Sequence, residues 1–316
     1  MPYKRVEYRD LNMFYCLNPD PLQFLDASPE NLPESRPLKE GLPILVLVHS
    51  AGGNVCSWFA QLSDPRLAGA YNIIALDCRF HGFTTGGERT SHTLENSAEC
   101  VIATLDELGY ERYSVFGDQV LGSVIASWIA IKRPEKVQSL ILSSPGWKCE
   151  PPEIQEALRS VSTALLSNKP GRGGDDTGTL PDEALEDILA YHLGPSSSFE
   201  RLSPIRPILK MKFQERYGTG HSAHDTYWLF TSVIERKPIP QELMSTIKCP
   251  VLILRGSEDK IVSPETAAEE WKEALVNAKN PHIVCIAGAP SLISLSDPNI
   301  VNRIITRFLQ RALGKE

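Results

Sequence analysis

Residues 113–124 read YSVFGDQVLGSV, and how this stretch divides decides the fold. Its first five residues are an apolar run of the kind that forms a strand buried on both faces. From about Leu121 to Lys132 the apolar residues continue at helical spacing and stop before Pro134. A strand therefore gives way to a helix within a few residues.

Runs of the same kind occupy residues 43–49 (PILVLVH), 71–77 (YNIIALD), 137–143 (VQSLILS), 251–255 and 282–286. Between them lie helical patterns. Val101, Leu105 and Leu108 recur at i, i+4 and i+7 and end at Gly109; further helices follow Pro264 and the Asp297-Pro298 pair. Strands alternating with helices call for an α/β fold, a mostly parallel sheet covered on both faces. VEYRDLNMFYCL near the N-terminus reads as a strand hairpin, and residues 18–42, rich in proline, as an irregular connection.

The alternation lapses between residues 146 and 248. Helix-like pieces at 153–166, 182–191 and 221–235 flank a Gly- and Asp-rich stretch, SNKPGRGGDDTGT at 167–179. Gly171, Gly173 and Gly174 are followed by no Gly-Lys-Ser/Thr, so this is a loop and not a phosphate cradle. The expected organisation is a core of residues 1–145 and 249–316, with 146–248 inserted as a helical lid.

The net charge of −7 arises from interspersed charges, which gives no footprint for nucleic acid or for a membrane surface. Seven scattered cysteines without a CxxC pair argue against a disulfide framework and a zinc site. With no apolar run of eighteen residues and no apolar segment at the N-terminus, a cytoplasmic location is expected. No metal or cofactor is expected, and the implied partner is a small molecule.

Six motifs in sequence order resemble those of the α/β-hydrolase superfamily. HSAGG (49–53) with Trp58 is similar to its oxyanion loop, and DCRFHG (77–82) to its Asp-x-Arg-Gly-x-Gly turn. TLENSAECVIATLDELGYERYSVFG and RPEKVQSLILSSPG are similar to what precedes and follows the nucleophile elbow. GSEDKIVSP (256–264) is similar to the turn that carries the triad acid, and IAGAPSLISLSDP (286–298) to the one that carries the triad histidine.

The resemblance places Gln119 where the family has its nucleophile, Ser291 where it has its histidine, and Asp259 where it has its acid. Other registers fail: Val120 is unreactive, Ser123 has Leu121 and Ile125 where small residues belong, and Asp118 has Phe116 and Val120. A primary amide can donate and accept hydrogen bonds but cannot attack a carbonyl. Serine cannot act as general base near neutral pH. Asp259 is then either the cap of the helix after Pro264 or a buried carboxylate of raised pKa able to move a proton.

By resemblance the backbone N–H groups of Ala51 and Val120 form the oxyanion hole. Ser50, Asp118 and Trp228 are candidate pocket-lining residues, and His224 is the candidate replacement base. His49 and His81 read as turn-shaping residues, with Asp77 and Arg79 expected to pair and brace the same loop. The catalytic candidates are thus Asp259, Gln119, Ser291 and His224. Polar residues at both lost triad positions favour a non-hydrolytic enzyme (lyase, isomerase, cyclase or cofactor-free type) acting on a small, largely apolar oxygenated molecule. The alternatives are a ligand-binding pseudoenzyme and a hydrolase with a displaced nucleophile.

Overall fold

The computed structural model describes residues 3–6, 11–24, 27–28, 30–87, 92–167, 185–187, 189–190, 210 and 223–314. The strands are β1 (Tyr3–Val6), β2 (Leu11–Leu17), β3 (Ile44–Val48), β4 (Asn72–Leu76), β5 (Thr85–Gly86), β6 (Tyr113–Asp118), β7 (Val137–Ser143), β8 (Pro250–Gly256) and β9 (Lys279–Ile286). They form one sheet in the order β1-β2-β4-β3-β6-β7-β8-β9, with β5 paired to β2. From β4 to β9 all pairs are parallel; β2 is antiparallel to β4, and β1 and β2 make the expected hairpin. Val46, Leu47, Val115, Phe116, Leu142 and Ile253 are fully buried, which is why their strands read as continuous apolar runs.

The helices are α1 (Phe59–Leu62), α2 (Pro65–Ala68), α3 (Leu94–Glu107), α4 (Gln119–Lys132), α5 (Pro152–Ser167), α6 (Ala223–Ile234), α7 (Gln241–Met244), α8 (Glu265–Ala274), α9 (Ile293–Ser296) and α10 (Pro298–Ala312). On one face of the sheet Val115 packs with Val101, Leu105, Ile125, Ile129 and Trp271 of α3, α4 and α8. On the other, Phe116 and Leu254 pack with Trp58, Ile293, Ile305 and Leu309, around α9 and α10. Side chains alternate along β6, so Phe116 and Asp118 share the second face.

α4 begins at Gln119, two residues before its apolar pattern does, because the turn from β6 is made at a single residue. Two glycines make this possible. A Cβ on Gly117 would overlap the Gly122 carbonyl, and one on Gly122 would overlap the Val48 carbonyl oxygen at the end of β3. The small helix residue that the turn needs is therefore Gly122, and the position two past the tip tolerates Leu121. Gly122→Ala is expected to destabilise the protein by about 3 kcal/mol, since its clash is with backbone. Urea unfolding measures this, and an unchanged midpoint would refute the close approach.

Between β7 and β8 the described helices α5 and α6 pack along each other. The chain leaves β7 through Ser144 (φ +44°) and Gly146 (φ +75°), and Gly146 lies against the Val120 side chain. Trp271 Nε1 donates to the Gly146 carbonyl (2.8 Å), and Trp147 Nε1 to that of Ile261 (3.2 Å). Arg236, just past α6, donates from Nη1 to Glu150 Oε1 at 2.9 Å and from Nη2 to the Trp147 carbonyl at 2.6 Å. Both side chains of this ion pair are buried. Of the helix expected at 182–191, residues 185–187 and 189–190 are described and helical. Loop 167–179, apart from Ser167, and with it Gly171, Gly173 and Gly174, lies outside the described residues.

Candidate functional site

Gln119 stands at φ +50°, a left-handed conformation that costs a residue with a side chain about 1–3 kcal/mol. Its side chain reaches the segment after β9, where Nε2 donates to Ser291 Oγ at 2.9 Å. Gln119 is 2% exposed and Ser291 0%. The two positions that would carry nucleophile and imidazole are thus bonded to each other. Neither group ionises near neutral pH.

Asp259 follows β8 and is 1% exposed. Its Oδ1 accepts the Val262 N–H at 3.0 Å, while Pro264 occupies the N-cap of α8, so capping that helix is not its role. Burial pushes its carboxyl up to about 6, against the pull of the Ser263, Val262 and Ile261 N–H groups and the Ser144 hydroxyl. Oδ2 makes no regular hydrogen bond among the described residues.

Asp118 lies on the opposite side of β6 from Val115, and its Oδ2 accepts a hydrogen bond from Ser294 Oγ of α9 at 2.9 Å. The expectation that it lines the pocket is corrected accordingly: the carboxyl is turned beneath the sheet, towards α9. Burial pushes it up to about 6 as well, with Ser143, Ser294 and the Gln119 N–H opposing the rise.

Two imidazoles fix the loop that carries Ala51. The Cys78 N–H donates to His49 Nε2 at 3.0 Å, which leaves the proton on Nδ1, 2.8 Å from the Ser50 carbonyl. The Gly52 N–H donates to His81 Nε2 at 3.1 Å, and His81 Nδ1 stands 2.8 Å from the Arg79 carbonyl. Both rings are turn-builders, as their motifs suggest. Asp77 accepts the N–H groups of Val55 and Phe83, both at 2.7 Å, and the Arg79 guanidinium lies over the Phe80 ring.

Within this frame the N–H groups of Ala51 and Val120 have no hydrogen-bond partner among the described residues. Ser50 is buried in the same loop, its carbonyl accepting from His49 and from the Gly53 N–H. Trp228 is half-buried against the core on the α3/α4 face, with its ring 5.1 Å from Tyr227, so packing accounts for it. His224 belongs to the first turn of α6, but its side chain lies outside the described residues. Among the described residues no three His, Cys, Asp or Glu side chains converge to hold a metal ion. No described helix is long and apolar enough to cross a membrane, and none of the seven cysteines is in a disulfide.

The family model described as alpha/beta hydrolase fold matches residues 43–287. The chain belongs to the α/β-hydrolase family. This α/β-hydrolase is 26% identical over 232 residues to the dihydrolipoyllysine-residue acetyltransferase component of the acetoin cleaving system of Cupriavidus necator, covering 72% of the chain and 55% of that protein. It thus spans about half the length of that relative. It is 22% identical over 271 residues to the (E)-2-((N-methylformamido)methylene)succinate hydrolase of Acinetobacter baylyi, covering 86% and 91% of the two. MGS-M2, an alpha/beta hydrolase enzyme from a Medee basin deep-sea metagenome library, superposes with a TM-score of 0.76 at 16% identity, over 96% and 95% of the two chains.

Two partners in this α/β-hydrolase site went unread in the sequence: Ser294, which holds Asp118, and Ser144, beside Asp259. Both are serines at loop or helix positions with no motif of their own, and only the fold brings them to a carboxylate. The two buried carboxyls have folded pKa values near 6, against about 3.9 unfolded. Their contribution to stability is complete below about pH 4 and is lost as pH rises through 6. Between pH 5 and 7.5 the native chain is expected to lose about 1 kcal/mol relative to Asp118→Asn, and the same relative to Asp259→Asn. Chemical denaturation across that range checks this, and parallel stability curves would refute it.

Proposed function

We propose that this α/β-hydrolase-fold protein binds a small, largely apolar molecule through a carbonyl, enol or carboxyl oxygen and does not hydrolyse it. The observation that carries the reading is the Gln119–Ser291 hydrogen bond, which fills the nucleophile and imidazole positions with a neutral, non-nucleophilic pair. The N–H groups of Ala51 and Val120 supply two donors suited to an oxygen bearing partial negative charge. In this reading α5 and α6, the described helices of the inserted segment, belong to the lid over that oxygen's apolar body. The Acinetobacter relative is a hydrolase of a substituted succinate, which favours a small oxygenated ligand without carrying its reaction across. The enzyme reading favoured by the polar replacements gives way to binding, because the Asp259 carboxyl is buried and turned to the backbone of its own loop.

A second reading is favoured by that same carboxyl. With its pKa pushed up to about 6 and Oδ2 making no regular hydrogen bond among the described residues, Asp259 suits proton transfer to or from an enolate held at the Ala51 and Val120 N–H groups. A lyase, isomerase, cyclase or cofactor-free reaction would follow.

Under either reading a fluorophosphonate probe leaves the protein unlabelled, and p-nitrophenyl acetate turns over at the background rate. Stoichiometric labelling of any serine would establish a displaced nucleophile and end both. Asp259→Asn separates them: binding predicts affinity within about twofold of the native chain, whereas proton transfer predicts turnover lost with affinity kept.

A further inference from the structure

An aspartate that precedes a helix ordinarily turns its carboxylate onto the N–H of the second or third helical residue. Asp118 occupies that position on α4, with the extended backbone (φ −105°, ψ 133°) that an N-cap requires, yet makes no capping bond. Its Oδ2 is held instead by Ser294 Oγ at 2.9 Å. The donors a cap would take are the N–H groups of Val120 and Leu121, and that of Val120 has no partner among the described residues.

Ser294 is itself held. Its carbonyl accepts from Gln61 Nε2 at 2.9 Å; the same nitrogen is 3.0 Å from Asn302 Oδ1, and Asn302 Nδ2 donates to Asp64 Oδ2 at 3.0 Å. All four side chains are buried. Three residues earlier Ser291 accepts from Gln119. The elbow pair 118–119 is therefore bridged twice to the 291–294 segment.

We propose that Ser294 is a positioning residue for the ligand site, which keeps the Val120 N–H uncapped by holding the Asp118 carboxylate away from it. The inference rests on the reading that Ala51 and Val120 receive the ligand's oxygen. Released from Ser294, the carboxylate turns onto the first turn of α4, takes up the Val120 donor and sets a negative charge where that oxygen would lie. Both effects weaken binding.

The test uses the full chain labelled with 15N-valine, with the Val120 amide resonance identified by its loss in Val120→Ile. Ser294→Ala is expected to move that resonance downfield, and Ser294→Ala with Asp118→Ala to return it to its native position. Ser294→Thr, which keeps the hydroxyl, leaves it in place. An unmoved Val120 amide in Ser294→Ala, or a displaced one that persists without the Asp118 carboxyl, overturns the proposal. Should Ser294→Ala not fold, Ser294→Cys is expected to give the same displacement in smaller measure, and no displacement there overturns it equally. The second arm titrates 1-naphthaleneacetate against tryptophan fluorescence. Ser294→Ala is expected to bind it at least about fivefold more weakly, the loss of one hydrogen bond, with recovery in the double variant. A native chain that ignores 1-naphthaleneacetate while the Val120 amide behaves as expected counts against the ligand reading and supports the positioning role of Ser294.

Discussion

Gln119→Ser and Ser291→His made together are expected to turn the protein into an esterase, raising p-nitrophenyl acetate turnover at least about a hundredfold above the native background. Either change alone is expected to leave it at background. The expectation follows from what the elbow retains: the left-handed backbone at residue 119, the close approach of Gly117 and Gly122, and the N–H groups of Ala51 and Val120, which have no partner among the described residues. Serine at 119 would gain a reactive oxygen, but it is a weak nucleophile until a base accepts its proton. Histidine at 291 would supply that base, with Asp259 to orient it. Because the Gln119 amide now bridges to Ser291, shortening residue 119 also clears room for the ring. A folded double variant still at background would show that the retained backbone is not competent for acyl transfer.

Glu150→Ala is expected to cost about 3–5 kcal/mol, because it leaves the Arg236 guanidinium buried without its counter-charge. The pair is nearly inaccessible, at 4% and 0% side-chain exposure, so water cannot replace the lost carboxylate. Removing both charges with Glu150→Met and Arg236→Met should recover most of the loss, the signature of an uncompensated charge rather than of lost packing. Urea unfolding of the three variants tests this. A loss below about 1 kcal/mol in Glu150→Ala would place the pair among ordinary surface contacts.

The parallel strands were legible because burial on both faces leaves no polar alternation in their sequence; 137–143 matches β7 to the residue. The elbow was legible because Gly117 and the helical run after it bracket a turn of one residue. That the close-approach residue on the helix side is Gly122 was not legible, since only the Val48 carbonyl distinguishes position 122 from 121. The polar partners were not legible at all. Ser294 meets Asp118 across 176 positions of chain and Arg236 meets Glu150 across 86, and neither meeting leaves a periodic trace in a single sequence. Asp259 was read as a cap or a buried acid, and its bond to the Val262 N–H together with Pro264 at the N-cap of α8 removes the cap.

Residues 144–150 are a single short piece of chain that touches three parts of the molecule: the Val120 side chain through Gly146, the Asp259 loop through Trp147, and the end of α6 through Glu150. It joins the helical pair to the side chain of Val120, the residue that follows the tip of the elbow. Substitutions on the outer surface of α5 or α6 are therefore expected to shift the affinity of the proposed ligand site without altering Ala51 or Val120. A chain built this way can drift towards new ligands through its helices while its sheet stays fixed.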